Sequence, residues 1–132
     1  MKPDFLFVKA GFFPTEPFVP TDCNFKITLS NAGGTFYEGE LLPGDLPKRG
    51  HMYYFRDRTA RAGGTRDGIL WTQLSKMTPG YWRFQFKAFE DLSEATVPTM
   101  TLRLDTCDNA YALTADWSEL RSGFKLELKT LP

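Results

Sequence analysis

A chain of 132 residues, 42% hydrophobic and 15% aromatic against 24% charged, has the make-up of one folded domain with a sizeable core. Sixteen basic and sixteen acidic residues cancel. This balance removes the global positive field that gathers nucleic acid, so no nucleic-acid partner is expected. No apolar run approaches the roughly 20 residues needed to span a bilayer.

From the N-terminus, Phe5–Phe12 reads as a first strand. The opening Met1–Lys9 lacks the charged, continuously apolar and small-residue segments of a signal peptide. Pro14-Thr15-Glu16-Pro17-Phe18-Val19-Pro20 is proline-rich and extended, with few backbone donors. Its plainer reading is a crossover between sheets, so that residues 1–20 comprise a strand and its exit. The sharper reading is a hinge that lets the first strand join a second copy's sheet by β-augmentation, making the chain a self-assembling subunit.

Beyond it, period two dominates. Apolar residues take every second place in Cys23–Ser30, and Asn31-Ala32-Gly33-Gly34 supplies a hairpin turn into Thr35–Leu42. Weaker strands follow at His51–Arg56 and Gly68–Ser75. Trp82, Phe84 and Phe86 then alternate with Arg83, Gln85 and Lys87; Met100, Leu102 and Leu104 alternate with Thr101, Arg103 and Asp105. Tyr111–Trp117 and Phe124–Leu128 repeat the pattern. Each such segment buries one face and wets the other. The fold class is therefore all-β: an antiparallel two-layer β-sandwich, Ig-like or jelly-roll-like, of about nine short strands in a single domain, 1–132. Periodicity does not count sheets, so a closed barrel is the alternative.

Chemistry is sparse. The single histidine, His51, sits in a basic loop and reads as solvated, and no P-loop, G-x-S-x-G or zinc spacing occurs. No enzyme is expected, nor any cofactor. Calcium is the one metal worth weighing, because Glu90-Asp91, Asp105 and Asp108-Asn109 offer loop oxygens, though without a dedicated calcium-loop pattern. Cys23 and Cys107 either bridge an early strand to a late one or remain separated thiols.

The most distinctive polar feature is the loop carrying Arg56, Arg58, Arg61 and Arg66. Guanidinium groups make paired contacts with phosphate, sulfate or carboxylate, so these four are candidate ligands for an anionic polymer or acidic glycan. Asp57 and Asp67 would offset part of that charge, and a merely solvated loop is the plainer reading. Tyr54 and Tyr81 are the aromatics expected on an outer surface, where they would stack on sugar; Trp71 is open to either face. Most strand aromatics are packing residues.

Phe25–Asn31 leading to Gly34-Thr35-Phe36-Tyr37, then Leu42-Pro43-Gly44-Asp45, Phe55-Arg56-Asp57, Gly80–Ala88, Asp91–Thr96 and Pro98–Leu104 together resemble a β-rich module that recurs in secreted and cell-surface bacterial proteins. The resemblance spans about Cys23 to Leu126. It implies an accessory domain of a larger extracellular chain, with no activity and no functional residues to carry over. The expected role is a non-catalytic, extracytoplasmic structural or protein-interaction module, with glycan or another protein as partner.

Overall fold

A computed structural model describes residues 4–14, 16, 18–62, 64–78, 80–90, 99–116, 118–120 and 123–127. Eleven strands occur among them: β1 (Asp4–Phe12), β2 (Phe25–Asn31), β3 (Gly34–Leu41), β4 (Lys48–Arg49), β5 (Met52–Arg56), β6 (Ile69–Thr78), β7 (Tyr81–Glu90), β8 (Thr99–Thr106), β9 (Asn109–Asp116), β10 (Ser118–Leu120) and β11 (Gly123–Glu127). One sheet has seven strands in the order β10-β11-β1-β7-β6-β5-β4, and the other has four, β3-β2-β8-β9. The alternating sequence pattern becomes alternating burial, strictly so along β8.

The two inner faces meet in one core. Leu6, Val8, Ala10 and Phe12 of β1 join Trp82, Phe84, Phe86 and Ala88 of β7 against Phe25, Ile27 and Leu29 of β2 and Met100, Leu102 and Leu104 of β8. Aromatic pairs lock the layers: Phe84 stands edge-on to Phe25 at 5.4 Å, Phe86 to Tyr37 at 6.0 Å, and Phe12 packs on Tyr111 at 5.3 Å. Such pairs add about 0.5–1.5 kcal/mol each beyond their area. The architecture is a β-sandwich.

One pairing departs from the antiparallel expectation. β1 runs parallel to β11 on one side and antiparallel to β7 on the other. A parallel neighbour needs a long connection, and here most of the chain intervenes. Local alternation carries no record of it. With hydrogen-bonded neighbours on both sides, β1 has no free edge in this fold, and giving it to a second copy would first require withdrawing it. Between β1 and β2 the chain passes from the larger sheet to the smaller through a 3-10 turn at Pro20–Asp22; Thr15 and Pro17 of the proline-rich stretch lie outside the described residues. The strands not expected, β4 and β10, are two and three residues long, too short to show a period.

Cys23 and Cys107 are joined, with Cα atoms 5.0 Å apart. The bridge ties the approach to β2 to the β8–β9 turn, where Cys107 sits at φ 50°. Asn24 reinforces the same junction: its side-chain oxygen accepts the Cys107 N–H at 3.1 Å, and its carbonyl accepts the Thr106 hydroxyl at 2.6 Å.

Candidate cationic face of the larger sheet

Cross-strand register arranges the outer face of the seven-stranded sheet in rows. Arg56 stands opposite Trp71, Trp71 opposite Lys87, and Lys87 opposite Phe7. The next row runs Tyr54, Gln73, Gln85, Lys9, and the next Met52, Ser75, Arg83, Gly11. Facing residues on paired strands share a side of the sheet. None of these twelve positions holds an acid. Trp71 meets Phe7 edge-on at 5.7 Å, which confirms its outward side, and the Lys87 ammonium lies 4.6 Å from the Phe5 ring centroid.

The smaller sheet is different. There Lys26 pairs with Glu38 at 2.7 Å and Arg103 forks onto Asp105 at 2.8 and 3.0 Å. Its charges are neutralised in place, whereas the three rows of the larger sheet carry cations without an acid from β5 to β1 and meet their first acid at β11, where Glu127 stands opposite Lys9. The zero net charge therefore conceals a segregated surface.

At the β4–β5 edge of the cationic face, Arg49, Tyr54, Arg56 and Arg58 line a shallow depression of about 400 Å³. Among the described residues, none of these arginines has an acid within ion-pair distance. The reason lies in the loop that follows. Asp57 turns inward and accepts from the Thr59 hydroxyl (2.6 Å), the Thr65 N–H (2.8 Å) and the Thr59 N–H (2.9 Å), with the Thr65 hydroxyl at 3.2 Å. These donors, the Thr59 hydroxyl foremost, hold its pKa down to about 2. Asp67 accepts instead from the Glu40 N–H at 3.1 Å. Both acids thus accept from loop and strand donors instead of forking onto Arg56 or Arg58, while the charge of Asp67 still acts on Arg66.

Three of the six sequence candidates, Tyr54, Arg56 and Arg58, come together. Arg66 does not: its Nε and a second nitrogen grip Asp45 at 2.6 and 3.3 Å, fixing the loop against residues 42–46. Burial opposes ionisation of Asp45, yet the Arg66 fork and the Leu42 N–H outweigh it and lower its pKa. Tyr81 also stands apart, packed at a tilt on Phe13 at 4.9 Å and over Gly11, where a Cβ would collide with its ring. The side chain of Arg61 lies outside the described residues. Tyr53 and Phe55 pack toward the core, as alternation demands with Tyr54 facing out.

Compared with known proteins, the chain matches no family model, no curated protein and no solved structure.

Arg49, Trp71, Arg83 and Lys87 belong to the face but escape a reading that treats the arginine loop alone. The signal for them was present: β1, β5, β6 and β7 place no acid at the outward positions of these three rows. For calcium, Asp105 is held by Arg103, and the Asn109 side-chain oxygen accepts from the Glu16 N–H at 3.0 Å. Asp91 lies outside the described residues. Among the described residues, no three His, Cys, Asp or Glu side chains group as a metal site.

Proposed function

We propose that this chain is a non-catalytic, extracytoplasmic binding module that holds an acidic glycan on the outer face of its larger sheet. The observation that carries the reading is the acid-free run of cations and aromatics across β5, β6, β7 and β1, with the unpaired arginines at its edge. Arg49, Arg56 and Arg58 supply forked donors for carboxylate or sulfate, which Lys would engage only as point charges. Tyr54 and Trp71 offer apolar ring surface to sugar C–H groups, and Gln73 and Gln85 offer hydroxyl partners between them. The sheet holds Arg49, Tyr54, Arg56 and Trp71 at fixed spacing, and Arg58 follows in the loop after β5. A disulfide at one end of the smaller sheet agrees with an oxidising compartment.

A glycan array read at low and moderate salt tests this. Uronate-rich or sulfated glycans are expected to bind and neutral ones not, with signal falling as salt rises. Replacing Arg56 and Arg58 by Ala should remove most of the signal in a protein that still melts normally. Absence of binding to every acidic glycan would overturn the reading. Tighter binding to single-stranded DNA than to any glycan would replace it with a nucleic-acid function.

A further inference from the structure

The two sheets are unequal in width, about 29 Å for seven strands against about 14 Å for four at ordinary strand spacing. The ring contacts between layers fall on β1 and β7, so β5 and the short β4 lie beyond them at the sheet margin. On the inner side of that margin is a cavity of about 590 Å³, lined by Phe18, Tyr53 and Trp82 together with Lys48, His51 and Lys76. Register explains the lining: Lys48 stands opposite Tyr53, and Lys76 opposite Trp82, so each ammonium shares a face with an aromatic ring. Trp82 meets Phe18 edge-on at 5.1 Å and Tyr53 at 5.8 Å with an interplanar angle of 52°. The rings are tilted walls of a cup, not a flat stacking platform.

No acid lines this cavity, and among the described residues neither Lys48 nor Lys76 is ion-paired. Its volume is that of a small-molecule site. Aromatic walls with lysines and no acid in the lining select a ligand with an apolar body and one negative end. Lys48 and Arg49 are consecutive strand residues and point to opposite faces, so this cup is separate from the cationic outer face. We propose that the cavity binds a small organic acid with an apolar ring: the ring sits among Phe18, Tyr53 and Trp82, and the carboxylate meets Lys48 and Lys76.

Calorimetric titration of the full chain with naphthoate, and with naphthalenemethanol as its neutral counterpart, tests the assignment. One naphthoate per chain should bind, with the alcohol weaker by about tenfold or more because it forms no charge-assisted contact. Replacing Lys48 and Lys76 by Ala should weaken naphthoate to the level of the alcohol and leave the alcohol unchanged, with melting temperature as the check on folding. Replacing Arg56 and Arg58 by Ala should change neither. Absence of saturable naphthoate binding into the millimolar range, equal affinity for the alcohol, or indifference to loss of both lysines would each overturn the proposal. So would loss of binding in the arginine variant.

Discussion

Replacing Cys23 and Cys107 by Ala cuts the covalent tie between the approach to β2 and the β8–β9 turn. The bridged residues are 84 apart in sequence. In the chain-entropy argument, freeing a loop of that length raises the unfolded state's entropy enough to cost about 4.5 kcal/mol of stability. For a domain of this size, with an unfolding entropy of about 2.1 cal/mol/K per residue, the loss corresponds to a melting temperature lower by about 16 °C. The native contacts around the bridge should survive, because Asn24 still joins the two segments through the Thr106 hydroxyl and the Cys107 N–H. Thermal unfolding followed by circular dichroism, oxidised wild type against the double variant, reads the shift. A fall of only a few degrees would show that the unfolded chain is already restrained there, and the loop-entropy reasoning would fail.

Two further predictions concern single side chains. The Thr72 hydroxyl on the inner side of β6 is buried without a hydrogen-bond partner; Thr72→Val keeps the shape, removes a desolvation cost of about 1–3 kcal/mol, and should raise the urea midpoint. A lower midpoint would mean that the hydroxyl is satisfied in solution. Asp57, with a folded pKa near 2 against an ordinary 3.8, stabilises the folded loop above about pH 4, and that contribution disappears as pH falls toward 2. The melting-temperature advantage of wild type over Asp57→Asn should therefore shrink between pH 4 and pH 2; a constant difference across that window would refute the role given to its threonine contacts.

How much of this could be read in advance depended on whether the cause was local. Phe25-Lys26-Ile27-Thr28-Leu29 announces its own two faces, because a side chain's direction in a strand depends only on its place in the alternation. The Asn31–Gly34 turn is equally local. Which strands become neighbours is not: nothing near Phe5–Lys9 tells it to lie beside Gly123–Glu127. The arginine loop shows the same divide. Four arginines look equivalent in the sequence, yet Asp45, more than twenty residues before Arg66, claims that one alone. Arg49 joins Arg56 and Arg58 only once β4 pairs with β5. Asp57 sits between two arginines in the sequence, yet its carboxylate is claimed by Thr59 and Thr65 of the folded loop.

On this reading the outer face of the larger sheet, and not the smaller sheet, carries the binding charge. Titrating a linear polyuronate over a series of salt concentrations reads that charge as the slope of log affinity against log salt. Replacing Arg49, Arg56 and Arg58 by Ala should flatten that slope by about 2, since each lost cation releases fewer counterions on binding. Replacing Lys26 and Arg103 on the smaller sheet should leave it unaltered. Equal slopes for wild type and the three-arginine variant would show that these arginines do not meet the polymer.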